Sequence, residues 1–199
     1  GMLSQAKSKI KSDRGYFVVA DLTRAWPCKT ESFELVVCNL VLEHIEEEAD
    51  LIAGMANCEP LTILDALEAN AERLSGVRIH QMFPYRERRY MHGVFPGLRH
   101  VSWFLSPANR EAFHKDTCDL VPNNFSEVPY LMRHSTRCSL TLAAVSPPDR
   151  HGYFSLGTHA DYAAAMIGDV PFFVEANHQM PRTYGENQVH ISQVVGWCP

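Results

Sequence analysis

Apolar positions along this chain fall into two kinds of pattern, and the two kinds alternate. ADLIAG (Ala49–Gly54), VRIHQMF (Val77–Phe83), RHVSWFL (Arg99–Leu105), CSLTLAAV (Cys138–Val145) and VPFFVEAN (Val170–Asn177) are short, mostly apolar runs rich in Val, Ile, Phe and Leu. Runs of this length and composition read as buried strands. Between the first two, EPLTILDALEANAERL carries Leu61, Leu64, Leu67 and Leu74 with Ile63 and Ala71 on the same side, the stripe of an amphipathic helix. Pro60 suits its first turn and Gly76 its end. SPANREAFHKD predicts a helix with Ser106 as N-cap and Pro107 at the first position. SEVPYLMRH predicts a short helix and HADYAAAMIGD (His159–Asp169) another. Strands alternating with helices predict an α/β fold: a mostly parallel sheet with flanking helices.

The first 46 residues do not obviously belong to this alternation. YFVVADL (Tyr16–Leu22) reads as a strand ending at Asp21, and FELVVCNLVLEHI (Phe33–Ile45) as a strand drifting into a helix start. We therefore expect a strand–loop–strand segment over 1–46 and an α/β domain over 47–199.

Ligands of open parallel sheets bind outside the carboxyl ends of the strands, so the loops there hold the candidate chemistry. GMANCEP follows the first strand and brings Asn57 and Glu59, and SPANR follows the third. SPPDRHGYFSLG follows CSLTLAAV: Pro147 and Pro148 end the ladder, Gly152 and Gly157 permit unusual backbone or close approach, and His151 lies between. NHQMPRTYG follows VPFFVEAN and brings Gln179, Met180, Pro181, Arg182, Thr183 and Gly185; Gln179, Arg182 and Thr183 suit a carboxylate or an acyl oxygen. The same loops also read as ordinary turns closing a fold.

The 199 residues are 46% hydrophobic and 21% charged, ordinary for a globular protein, with net charge −5 and an isoelectric point near 6.0. That balance argues against nucleic acid and anionic membrane as partners. Arg86, Arg88 and Arg89, the densest basic cluster, read as a solvated loop. No apolar run approaches the ~20 residues of a membrane span. No signal peptide is visible behind Gly1-Met2, which resembles the scar of tag removal, so the cytoplasm is the expected compartment. Six cysteines without Cys-x-x-Cys spacing read as free thiols, and the histidines lack a zinc pattern, so no metal is expected. Gly-Tyr-Phe-Ser-Leu-Gly (152–157) has the wrong spacing for a nucleophile elbow, and His151 beside Asp149 reads as a surface-turn histidine.

Four blocks carry a family resemblance: EPLTILDALEANAERLSGVRIHQM, SEVP (Ser126–Pro129), VSPPDRHGYFSLG and EANHQMPRTYGENQVHIS. In order and spacing they resemble the acetyl-CoA hydrolase/transferase family, which includes the 4-hydroxybutyrate and acetate CoA-transferases, over roughly residues 48–195. The resemblance implies a domain of the NagB/RpiA/CoA-transferase type and coenzyme A as a substrate rather than a bound metal. It implies an acyl-CoA and a small carboxylic acid as partners, and a cleft lined by the loop residues named above. In that family a glutamate attacks the acyl-CoA and becomes a glutamyl-CoA thioester, and transfer to a second acid or to water follows. That glutamate lies in a second domain, and none of the glutamates here matches its motif. Glu59 and Glu175 match first-domain positions, so no catalytic residue is assigned. The chain is thus expected to be the first half of such an enzyme, associating with a second domain or forming a homodimer. The alternative is a non-catalytic acyl-CoA-binding or assembly protein derived from the family. Residues 1–46 resemble instead the middle of an S-adenosylmethionine-dependent methyltransferase, with Asp21 and Asn39 toward the cofactor, or else a generic strand–loop–strand element. The glycine-rich loop of that family is absent.

Overall fold

The structure, a computed structural model, describes residues 41–199. The strand expected at 16–22, most of the segment 33–45, and Asp21 and Asn39 lie outside the described residues.

Among the described residues, nine strands form two sheets: β1 (Asp50–Ala53), β2 (Val77–Met82), β3 (Leu98–Phe104), β4 (Cys118–Leu120), β5 (Cys138–Val145), β6 (Tyr153–Ser155), β7 (Phe172–Ala176), β8 (Gln188–His190) and β9 (Val194–Cys198). The main sheet has seven strands in the order β4-β3-β2-β1-β5-β7-β9, and every pairing within it is parallel. The remaining two, β6 and β8, pair antiparallel. The α-helices that lie wholly within the described residues are α1 (Leu61–Ala69), α2 (Arg110–His114) and α3 (Val128–Ser135).

Both faces of the sheet are buried, which is why its strands read as continuous apolar runs rather than alternating ones. Successive side chains point to opposite faces. Leu51 and Ala53 of β1, Leu140 and Leu142 of β5 and Phe173 of β7 therefore join one apolar cluster with Ile63, Leu64 and Leu67 of α1. Ile52, Ala143, Val145, Phe172 and Val174 join the other, with Val128 and Met132 of α3 and with Tyr162.

A polar residue at the start of β1 ties three strands together. Asp50 is fully buried, and Arg78 of the neighbouring β2 grips its two oxygens at 2.6 and 2.8 Å. The Arg137 amide donates to it at 2.7 Å, and His80 Nε2 stands 3.1 Å away. Burial alone would raise this carboxyl, but the bonds from His80, Arg78 and the Arg137 amide outweigh it and hold it well below the usual range. On the far side of His80, the Trp103 indole donates to Nδ1 at 3.0 Å.

The structure corrects several expectations. The long first helix ends at Ala69; Asn70 donates its side-chain amide back to the Ala66 carbonyl, and a 3-10 turn (Ala71–Arg73) follows. The second helix begins at Arg110 with Asn109 as cap, not at Pro107. Ser106 is instead committed to the Pro84 carbonyl at 2.5 Å, and its amide to Asn109 Oδ1 at 2.8 Å. Residues 159–169 form no α-helix, only a 3-10 turn over Ala164–Met166. Tertiary anchors override the local pattern there: the Tyr162 hydroxyl donates to the Ala53 carbonyl at 2.6 Å, and Asp161 Oδ1 accepts the Ala163 amide at 2.8 Å. Tyr153–Ser155, read as part of a loop, is strand β6. Arg88 is buried against Asp65 at 2.6 Å rather than solvated, and Arg89 stacks its guanidinium over Phe95 at 4.8 Å.

The candidate cleft at the strand ends

Strand order reverses between β1 and β5: β2, β3 and β4 extend one way from β1, while β7 and β9 extend the other way from β5. This is the topological switch point at which open α/β sheets bind ligands. The Gly54 amide closes it by donating to the Leu142 carbonyl at 2.9 Å.

From Gly54 the chain makes one 3-10 turn (Ala56–Cys58) and delivers Glu59. Glu59 is buried, and its Oε1 accepts from the Tyr85 amide at 2.8 Å and from Gln81 Nε2 at 3.2 Å. Gln81 Nε2 also donates to the Gly54 carbonyl at 2.8 Å, so one side chain joins the end of β1 to the acid. Burial raises the Glu59 carboxyl against the opposing pull of the Tyr85 amide, Arg88 and Arg86. Asn57, Glu59, Tyr85 and Arg86 line a cleft of about 230 Å³.

The loops after β5 and β7 join the same region through side chains. Cys58 Sγ lies 3.2 Å from Thr158 Oγ1, and the Thr158 hydroxyl points on to Met180 Sδ at 3.9 Å. Gly157 has φ +62, and a Cβ there would stand 2.3 Å from Met180 Sδ, so the β6–β7 and β7–β8 loops meet only because this position is bare. Ser155 Oγ accepts the Gly157 and Thr183 amides, each at 3.1 Å, and donates to the Thr183 carbonyl at 2.9 Å. Thr183 Oγ1 donates to the Gly157 carbonyl at 2.6 Å.

Of the residues singled out from sequence, Pro147, Gly157, Met180, Arg182 and Thr183 are drawn into this loop cluster. Arg182 is engaged within it: Nη2 donates to the Pro147 carbonyl at 2.9 Å and to the Tyr153 carbonyl at 2.6 Å, with Asp149 at 3.7 Å. His151 and Gln179 are exposed, and Gly185 stands in open space. Sequence reasoning missed Gln81, Tyr85, Ser155 and Thr158. Gln81 had a signal, being an uncharged polar residue at the carboxyl end of an apolar strand.

The described thiols are not built as nucleophiles. Burial pushes Cys58 up, with the Thr158 hydrogen bond opposing, and pushes Cys118 and Cys138 to about 11 and Cys198 to about 12. In the folded chain at pH 8 we expect iodoacetamide to label Cys58, Cys118 and Cys198 at least about tenfold more slowly than in urea. Peptide mapping by mass spectrometry checks this, and rapid native labelling at Cys58 would count against a buried, protonated thiol.

A parallel sheet carrying its loops around one switch point defines the class: α/β proteins that take their ligand at the strand ends. The family follows from the match of the acetyl-CoA hydrolase/transferase N-terminal domain over residues 29–195; the chain belongs to that family. It is 32% identical over 170 residues to a succinyl-CoA:cyclohexane-1-carboxylate CoA transferase of Geobacter metallireducens, covering 82% of this chain and 39% of the relative. It is 29% identical over 164 residues to a 4-hydroxybutyrate coenzyme A transferase of Clostridium kluyveri, covering 81% of this chain and 38% of that one. The chain thus spans about two fifths of the length of these curated relatives. Among solved structures it resembles RipA from Yersinia pestis, with a TM-score of 0.72 and 26% identity over 81% of this chain and 41% of that one. No helix among the described residues is long and apolar enough to cross a membrane.

Proposed function

We propose that this chain is the N-terminal half of a CoA-transferase that moves coenzyme A between an acyl-CoA and a carboxylic acid. The observation that carries the reading is the family match over residues 29–195, which spans every strand-end loop of the cleft. The chemistry is covalent. A glutamate carboxylate of a second domain attacks the thioester carbonyl and expels the CoA thiolate, leaving a mixed anhydride. The thiolate then attacks the glutamyl carbonyl, releasing the first acid and forming a glutamyl-CoA thioester. The acceptor carboxylate reverses the two steps. This half contributes the wall: Glu59, held by Gln81 and the Tyr85 amide, fixes the β1 loop, and Asn57 lines the cleft where an acyl oxygen needs a donor.

The test is reconstitution. The chain is mixed with the second domain of the Geobacter relative, and transfer of labelled acetate into acetyl-CoA is followed. We expect exchange from the mixture and not from either part, lowered about tenfold or more by Glu59→Ala, which also loosens the loop. A chain that binds acyl-CoA yet never supports exchange is a binding protein. A chain that binds neither CoA nor acyl-CoA at millimolar concentration overturns the reading.

A further inference from the structure

A second cavity adjoins the Glu59 cleft and has no role in the account so far. It measures about 410 Å³ and lies at the ends of β1, β2 and β3, walled by Met55, Met82, Phe83, Phe104 and Phe125. The segment Phe83–Tyr85 separates it from the cleft: Tyr85 lines the cleft, and its ring meets Phe83 edge-on at 5.6 Å.

The backbone here is strained in a specific way. Phe83 has φ +45 and Ala56 has φ +51, both in the left-handed region that non-glycine residues avoid. The two are joined, the Ala56 amide donating to the Phe83 carbonyl at 3.3 Å, while the Phe83 amide is held by the Phe104 carbonyl at 3.2 Å. Strain of this kind persists where the surroundings enforce it and gathers at ligand sites. Its effect is to place the Phe83 ring 5.6 Å from Phe104 across the mouth of the cavity.

The walls identify the guest. Phe104 and Phe125 are each 57% exposed, unusual for phenylalanine, so the cavity, which Asn123 and Asn124 also line, is open and more apolar than polar. Phe104 stands at 47° and Tyr85 at 71° to Phe83, so neither ring lies parallel to it to form a slot for a flat base. The Asn123 amide nitrogen is occupied by the Trp103 and Val121 carbonyls, at 2.8 and 2.7 Å. The space equals the share of liquid volume of about fourteen waters, far more than an acetyl methyl fills.

Resting on the CoA-transferase reading, we propose that this trough receives the acyl group and that Phe104 and Phe125 set the substrate class: an apolar, ring-sized or short branched acyl group rather than acetyl. Each methylene buried there is worth about a fourfold gain in affinity.

The full chain, labelled with [13C-methyl]methionine, is titrated with CoA, acetyl-CoA and cyclohexanecarbonyl-CoA. We expect the cyclic thioester to bind at least about tenfold more tightly than acetyl-CoA and to shift the Met55 and Met82 methyls. Met132 and Met166, which line a cavity with Arg133, should not move. Phe104→Ala and Phe125→Ala, both at exposed side chains, should shrink that preference to about threefold or less while leaving the affinity for CoA unchanged. Equal binding of the two thioesters, or a preference that survives both substitutions, overturns the proposal while leaving the CoA reading intact. Methyl shifts produced by an added second domain, with no acyl preference, assign the trough to an interface and overturn it too. If CoA itself does not bind, the transferase reading falls and takes the trough's occupant with it.

Discussion

Lowering the pH from 6.5 to 3 should cost this fold on the order of 5 kcal/mol through one side chain, His100. His100 is fully buried beside Tyr90 and Asn109, and burial, with His80 close by, pushes it down to about 3 from the ordinary 6.5. A base whose folded value is depressed takes up its proton more readily in the unfolded chain. Its contribution is complete above about 6.5, falls as the pH drops, and is exhausted near 3. The gap of about 3.5 pH units at ~1.4 kcal/mol each sets the figure as an upper bound. Asp50 acts in the same direction but only below its ordinary 3.8, where its buried carboxylate must begin to protonate on unfolding. Glu59 and Glu175 act oppositely: burial raises both above 4.5, so the folded state gains relative stability as they protonate. Urea unfolding at pH 7, 5 and 4 measures the slope. His100→Phe removes the titrating group while Asn109 Nδ2 keeps Ser102 Oγ at 2.9 Å, so the slope between pH 6.5 and 4.5 should flatten. An unchanged slope would show that His100 is not its source.

Gly54→Ala should destabilise the fold by about 3 kcal/mol, lowering the melting temperature by roughly 6–12 °C. A Cβ at this position would stand 2.4 Å from the Cys58 carbonyl oxygen and 3.0 Å from His159 Cε1. The first is backbone, which cannot swing aside, and the loop it belongs to carries Asn57 and Glu59. The clash therefore reaches the cleft as well as the core. Gly168→Ala is the comparison: its φ is +90 but nothing lies within 4 Å, so it tests backbone conformation without crowding and should cost about 1 kcal/mol. Calorimetry of the two variants separates the effects. Equal costs would mean that the strand end at Gly54 has room to relax.

The strands that read clearly were those buried on both faces. CSLTLAAV and VPFFVEAN announced themselves because β5 and β7 feed alternate side chains into two apolar clusters, so few positions are polar. β4, β6 and β8 did not, because each is three residues long and has no period to display. The stretch HADYAAAMIGD has helix-forming composition, but the bond of Tyr162 to the end of β1 and the turn at Asp161 decided otherwise. Local propensity is worth a few tenths of a kcal/mol per residue, and a buried hydroxyl without its partner costs more than that.

By itself the sequence determined the class of fold and the family and marked the candidate loops, because strand composition, proline and glycine punctuation and long motif blocks are local properties. Only the tertiary structure decided which loops meet. The order β4-β3-β2-β1-β5-β7-β9 places the switch point between β1 and β5, and register then sets Glu59 against Tyr85 and Arg182 against the Pro147 and Tyr153 carbonyls. The same order gathered Phe83, Phe104 and Phe125 around one cavity from three separate segments. Nothing in their spacing foretold it, because contact between distant segments is set by the free energy of burying the whole sheet and not by any one stretch of the chain.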